Sequence, residues 1–249
     1  MSKENEDKWR ESHSSFITKL AHFVKRLQDL YQPGMTGIVT AAGRPNFGQV
    51  ISLVLMTRQV DSHLPIQVIL DSSEAWVEYV FGNIFPGYNA TCVELKDVWA
   101  GVHPFVQKLG LQSFQWKLLS IIPSTFQNVL FLDSDALPVL NPDLIFNTGA
   151  ELFTSTGFIS WPDFWTQSAS STLFNIFGDV EVPLTSRTTL KSRIMVCDKA
   201  RHADILLLAA YYNFNGPVHY YPITTQYGPV EGDKKTFFLA AFILEAVER

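Results

Sequence analysis

Apolar residues recur at helical or strand spacing along most of the chain. Residues 9–31 place apolar side chains three and four positions apart, which predicts an amphipathic helix that ends at Pro33 and Gly34. Short apolar runs that predict buried strands then alternate with helical segments: strands at 37–40, 65–70, 91–95 and 129–132, and helices at 48–60, 73–81 and 111–122. This alternation is typical of an α/β domain with a central, mostly parallel sheet flanked by helices.

The second half of the chain is less regular. Residues 156–161 and 193–198 predict strands, and residues 199–212 and 232–248 predict largely buried helices. Because no repeat, low-complexity tract or Gly/Ser/Pro-rich linker divides the chain, we predict one domain over 13–249. The polar residues 1–12 are predicted to be disordered.

Composition limits the classes of function. The chain has 249 residues, of which 47% are hydrophobic and 17% charged, so it can bury a large core. A net charge of −5 without a basic block argues against a nucleic-acid partner. The longest apolar runs hold eight residues, too few for a membrane span. Cys92 and Cys197 could form one disulfide or remain two thiols, and their spacing does not suggest zinc.

Two carboxylates, Asp133 and Asp135, directly follow the apolar run at 129–132. Ligands of open α/β sheets collect at the carboxyl ends of strands, and carboxylate oxygens suit Mg²⁺ or Mn²⁺. Such an ion would hold a diphosphate and neutralise it as a leaving group. A chance tripeptide or a helix cap is the alternative, although Pro138 and Pro142 argue against a helix starting here.

Five blocks of the sequence appear in an order that resembles a known family. They are Arg58 with residues 64–68, the segment 111–146 around Asp133-Ser134-Asp135, and the blocks at 156–164, 199–202 and 232–237. Together they span roughly residues 36–245 and resemble the fungal α-mannosyltransferases of the MNN1/MNN2 type (glycosyltransferase family 71).

The resemblance implies a GT-A-like fold and a metal-dependent, retaining hexosyltransferase. The donor would be GDP-mannose, the metal Mn²⁺ or Mg²⁺, and the acceptor a mannosylated glycan of a glycoprotein, with an α-1,2 or α-1,3 linkage. It also implies the Golgi lumen, a place in a Golgi mannosyltransferase complex, and a chain truncated at one or both ends, because relatives carry a membrane anchor.

The resemblance also assigns site residues. Four acidic residues are the catalytic candidates: Asp133, Asp135, Asp163 and Asp233, of which the first two also hold the metal. Donor and sugar contacts are assigned to Thr40, Ala41, Gly43, Lys117, Trp161 and Lys234. Structural alternatives remain open for several of these: an ordinary turn at Gly43, a helix-surface Lys117, a core Trp161 and a helix cap at Asp233. His202 and His219 are interpreted as structural.

One segment departs from the family pattern. The family usually carries Glu-Ser-Gly-Gln where this chain has Lys191-Ser192-Arg193-Ile194. If the Glu and Gln contact the donor sugar, a reversed charge there would slow transfer strongly. Three hypotheses follow: an active mannosyltransferase, an inactive homologue that serves as a binding or complex subunit, and a transferase for another sugar nucleotide.

Overall fold

The computed structural model describes residues 2–70, 77–98, 113–147, 150–166, 169–178, 188–226 and 232–247. Its strands are β1 (Gln32–Ala42), β2 (Ile66–Leu70), β3 (Ala90–Glu94), β4 (Phe126–Leu132), β5 (Phe158–Thr166) and β6 (Thr188–Asp198). Its α-helices are α1 (Lys3–Leu27), α2 (Phe47–Gln59), α3 (Leu95–Val98), α4 (Trp116–Ile121), α5 (Ala150–Thr156), α6 (Ser171–Ile176), α7 (Lys199–Phe214), α8 (Tyr221–Thr225) and α9 (Lys234–Val247).

The six strands form one sheet in the order β3-β2-β1-β4-β6-β5. β1 pairs in parallel with both β2 and β4, and β2 pairs in parallel with β3. β6 runs antiparallel to β4, with Leu132 opposite Ile194. The carboxyl ends of the parallel strands therefore lie at one edge, and β6, which begins at Thr188, extends beyond the end of β4 at that edge. This confirms the α/β prediction.

Strand burial explains the unbroken apolar runs. All five residues of β2 are buried, and so are the last four of β4, because helices and loops cover both faces. Ile38, Val68 and Leu130 pack with Val50 and Leu53 of α2 in the main core cluster. A Cβ on Gly37 of β1 would collide with the buried Phe126 ring, so any larger residue there would force that ring to move.

The chain divides into two compact units. The sheet unit comprises Gln28–Ser160 and Arg193–His202, and the helical unit comprises Met1–Leu27, Trp161–Ser192 and Ala203–Arg249. The core of the helical unit is aromatic: the His13 ring stacks on Tyr212 at 5.8 Å and lies 5.0 Å from Phe177. No helix in the described residues is long and apolar enough to cross a membrane.

The N-terminus differs from the sequence prediction. Residues 1–12 were predicted to be disordered, but α1 begins at Lys3. Acidic residues in its first turn and basic residues in its last complement the helix dipole. Trp9 contacts the His219 ring at 3.8 Å, so an apolar stripe within a polar segment anchors the helix.

Other boundaries also shift. The predicted strand at 156–161 starts at Phe158, because α5 extends to Thr156 and Gly157 then turns the chain at a φ of +66°. Of the predicted helices at 73–81 and 111–122, residues 73–76 and 111–112 lie outside the described part. The remainder forms a π-helical turn at Tyr79–Ile84 and helix α4. Cys92 and Cys197 are not joined in a disulfide.

The block at 199–202 has structural roles. The buried Lys199 ammonium donates to the carbonyls of Ile122 (3.1 Å) and Ser124 (2.6 Å), just beyond the end of α4. Arg201 donates to the carbonyls of Thr154 and Ser155, and His202 Nε2 lies 2.7 Å from the Thr156 carbonyl oxygen. These side chains satisfy the last carbonyls of two helices, which have no partners within the helix itself.

Candidate active site

A cavity of about 380 Å³ opens in the sheet unit where β1 and β4 end. The loops after these strands contribute most of its lining, together with α4 and the residues before it. The lining residues are Ala41, Ala42, Gly43, Pro45, Asn46, Ile69, Phe114, Trp116, Lys117, Phe131, Asp133 and Ser134. The cavity thus lies at the edge of the sheet where ligands of α/β folds bind.

Asn46 holds the loops after β1 and β4 together. Its side-chain oxygen accepts from the Gly43 N–H at 2.6 Å, and its amide donates to Ser134 Oγ at 2.9 Å. Ser134 Oγ in turn lies 3.2 Å from Gln49 Oε1. Ser134 is therefore an anchoring residue, and the two carboxylates on either side of it belong to a braced loop.

Lys117 is a buried cation at the cavity wall. It retains 7% of its exposure, so the alternative of an ordinary helix-surface lysine is wrong. Its Nζ lies 3.7 Å from Asp133 Oδ1 and 5.5 Å above the Phe131 ring. A buried ammonium is stable only beside negative or electron-rich groups, and here the carboxylate and the ring face supply them.

Arg193 pairs with both carboxylates of the Asp133-Ser134-Asp135 loop. Its Nη2 donates to Asp135 Oδ2, and its Nε lies 3.9 Å from Asp133 Oδ2. The backbone explains this position, because the Asp133 N–H donates to the Arg193 carbonyl at 2.8 Å and extends the antiparallel ladder beyond Leu132. The carboxylates and the arginine are thus placed together by strand register.

A divalent cation at this loop requires hard oxygen ligands. Asp133 and Asp135 supply the hard oxygen atoms that Mn²⁺ or Mg²⁺ prefers. However, the Arg193 guanidinium already pairs with both, so their negative charge is compensated by a cation of the chain itself. Within the described ranges, no cluster of three or more His, Cys, Asp or Glu side chains could hold a metal. These residues, as placed, do not fit a resident divalent cation, and Mn²⁺ stays a prediction of the sequence.

The remaining predicted site residues belong to the helical unit. Lys234, the first residue of α9, donates to Asp163 Oδ2 at 2.6 Å. Burial raises the pKa of Asp163, but the hydrogen bonds from Lys234 and the Phe164 N–H outweigh it and hold the pKa below its usual value. Trp161 remains 37% exposed, so it is not a core residue. Asp233 is buried and accepts from Ser192 Oγ at 3.4 Å.

Of the predicted site residues, Ala41, Gly43, Lys117 and Asp133 all line the cavity, so the structure brings these four together. Thr40 is different, because it is fully buried in β1 and does not line the cavity. Asn46 was missed. Its only local signal is the Pro-Asn pair just after the Gly43 turn, where a side-chain amide commonly bonds nearby backbone groups.

Comparisons with known proteins show the family of this chain. A family model described as "Mannosyltransferase putative" matches residues 35–193 and 183–248. The alpha-1,2-mannosyltransferase MNN21 of Candida albicans is 31% identical over 84% of this chain and 37% of its own length. The alpha-1,2-mannosyltransferase MNN5 of Saccharomyces cerevisiae is 30% identical over 98% of this chain and 50% of its own. The chain therefore spans half or less of the length of these relatives.

A solved structure supports the fold. The galactosyltransferase LgtC, determined in complex with donor and acceptor sugar analogs, aligns with a TM-score of 0.51 over 84% of this chain and 70% of its own. At 15% sequence identity, this similarity shows the GT-A fold alone.

Proposed function

The chain belongs to the mannosyltransferase family whose model it matches, and from this premise we propose that it transfers mannose from GDP-mannose to a mannosylated glycan, with retention of the α configuration. The observation that carries the proposal is the cavity where β1 and β4 end. Its volume of about 380 Å³ lies in the range of sites that bind small ligands. Its lining combines apolar, backbone and cationic groups suited to a nucleoside diphosphate.

We assign the parts of the donor to the parts of this cavity. Trp116 and Phe114 offer aromatic surface for the base. Gly43, which lacks a Cβ, lets the backbone of the loop after β1 approach the ligand. Lys117 points its ammonium at the same space, where a phosphate oxygen could accept from it.

The chemical step needs stabilisation of a leaving group. As the bond between mannose and the diphosphate breaks, negative charge grows on the departing phosphate oxygen. A cation already fixed in a partly enclosed site stabilises that charge without having to reorganise. Lys117 is fixed in this way by burial, by Asp133 and by the Phe131 ring.

Within the helical unit itself, we propose that exposed residues bind a sugar. Trp161 offers an aromatic face, and Phe164 is 94% exposed. Asp163 has a lowered pKa, so it is ionised at neutral pH and can accept hydrogen bonds from sugar hydroxyls. The relatives named above are α-1,2-mannosyltransferases, and we extend that linkage, together with a Golgi location and partners, to this chain as part of the proposal.

A transfer assay tests the donor and the cavity together. Radiolabelled GDP-mannose is supplied with an α-mannobiose acceptor, and UDP-glucose and UDP-galactose are the competing donors. We expect transfer from GDP-mannose, and we expect Lys117→Met to lower kcat about 100-fold or more. The matched control is Lys96→Met, because Lys96 is exposed and pairs with Glu94 away from the cavity. Preference for a UDP-sugar, or full activity of Lys117→Met, would contradict the proposal.

The pairing of Arg193 with Asp135 favours one alternative, an inactive homologue that binds nucleotide. Calorimetry with GDP, followed by a donor-hydrolysis assay, separates it from the enzyme. GDP binding with neither hydrolysis nor transfer supports the binding subunit, whereas turnover excludes it.

A further inference from the structure

The two carboxylates of the Asp133-Ser134-Asp135 loop face two cations of the chain itself. Asp135 accepts from the Arg193 guanidinium, and Asp133 lies between Arg193 at 3.9 Å and the Lys117 ammonium at 3.7 Å. Two negative charges are therefore matched by two positive ones within one small site. Carboxylates this close repel each other unless a cation is shared between them, and Arg193 is that shared cation.

Arg193 is held at this point by the backbone as well as by its charge. The Asp133 N–H donates to the Arg193 carbonyl, and the pair continues the register that sets Leu132 opposite Ile194. The side chain reaches the carboxylates from the neighbouring strand of the sheet. A substitution that removes the side chain alone would leave this backbone pairing in place.

The guanidinium has hydrogen-bond donors to spare. It carries five N–H groups in a planar fork, and the carboxylates of Asp133 and Asp135 engage part of that fork. The Arg193 side chain is 60% exposed, so its free edge is open to a ligand. A guanidinium suits the bidentate geometry of a phosphate and keeps its charge at any physiological pH.

We propose that Arg193 takes the bridging place of a divalent cation, so that this chain binds a nucleoside diphosphate through the Arg193 and Lys117 side chains without a metal ion. The inference rests on the proposed function, because Arg193 pairs with Asp133, which lines the donor cavity although Arg193 itself does not. The loop carboxylates orient the guanidinium, and the guanidinium contacts the diphosphate.

Calorimetric titration with GDP, first in EDTA and then in Mn²⁺, tests the inference on the full chain. We expect GDP to bind about equally well in both. Arg193→Gly removes the bridging charge and should weaken binding in EDTA about 30-fold, the loss expected for a charge-assisted hydrogen bond to phosphate. The same variant should regain affinity when Mn²⁺ is added, because Arg193 no longer pairs with the two carboxylates and the ion can bind them.

Two further measurements make the result specific. Electron paramagnetic resonance reports free Mn²⁺ directly, and we expect Arg193→Gly to bind the ion and the unmodified chain not to bind it. Lys96→Ala removes an exposed cation outside the cavity and should leave both titrations unchanged. Thermal unfolding of each variant identifies any that fails to fold.

The outcomes separate the inference from the proposed function. If the unmodified chain binds GDP only when Mn²⁺ is present, the inference is wrong and the transferase proposal stands. If Arg193→Gly binds GDP in EDTA as well as the unmodified chain does, the role given to Arg193 is also wrong. If no GDP binds in either buffer, both proposals fail.

Discussion

The two units of the chain use their polar side chains in different ways. In the sheet unit, Asp133, Asp135 and Arg193 have side chains that are 31%, 40% and 60% exposed. In the helical unit, His13 and Tyr212 are buried and bonded to each other, with Nε2 and Oη 2.9 Å apart. Exposed ion pairs contribute little to folding, whereas a buried polar group that loses its hydrogen-bond partner destabilises the folded chain. The buried polar groups of the helical unit therefore contribute to stability, whereas these charged side chains of the sheet unit remain accessible to solvent.

The largest expected effect concerns His13. Burial lowers its pKa from 6.5 to about 4, so the folded chain keeps the imidazole neutral while the unfolded chain protonates it. Since the unfolded state then binds more protons, stability falls as the pH drops from about 6.5 towards 4. A shift of this size corresponds to about 3 kcal/mol of unfolding free energy. Urea unfolding followed across this pH range measures it.

His13→Gln should remove most of that pH dependence and can keep a hydrogen bond to Tyr212. His22→Gln is the matched control, because His22 lies on the same helix but is exposed. If both variants show the same pH dependence of stability as the unmodified chain, the buried His13 imidazole is not its cause.

The sequence predicted the features that neighbouring residues determine, and it did not predict those that depend on residues far apart in the chain. The unbroken apolar run at 129–132 predicted a buried strand, and these four residues are the buried end of β4. The same run placed Asp133 at the edge of the sheet, and Gly43 was placed there by the run at 37–40. These features are local: a strand that is covered on both faces must be apolar, and its end determines where the next residues lie.

The features that the sequence did not predict depend on distant residues. Arg193 was noticed only as a departure from a family motif, and its pairing with Asp135 joins residues 58 positions apart. No periodicity in either segment reveals the register that brings them together. The start of the first helix was predicted at residue 9, whereas α1 begins at Lys3. Near this end of the helix, Trp9 contacts His219, which lies 210 positions further along the chain.

An intermediate effect is expected for the ion pair of the helical unit. Asp163 and Lys234 have side chains only 15% and 16% exposed, and their atoms are 2.6 Å apart. A double-mutant cycle with Asp163→Asn and Lys234→Met should give a coupling of about 1 kcal/mol, as expected for a charge-assisted bond partly shielded from water. Because the folded pKa of Asp163 is lowered, this coupling should be lost as the pH falls through that pKa. A coupling that persists in acid would contradict the assignment.

The smallest effect on stability is expected for the ion pair of Asp135 and Arg193. It also tests most directly whether the exposed charges of the sheet unit contribute to folding. Both side chains are substantially exposed, so solvent screens their attraction and the pair should contribute about 0.5 kcal/mol or less to folding. Chemical unfolding of Asp135→Asn, Arg193→Met and the double variant measures the coupling in the same way. A coupling larger than that of Asp163 with Lys234 would mean that the main role of the Asp135–Arg193 pair is to stabilise the fold. If Arg193→Met also unfolds at the same denaturant concentration as the unmodified chain, a loss of GDP binding in that variant reports the ligand site itself.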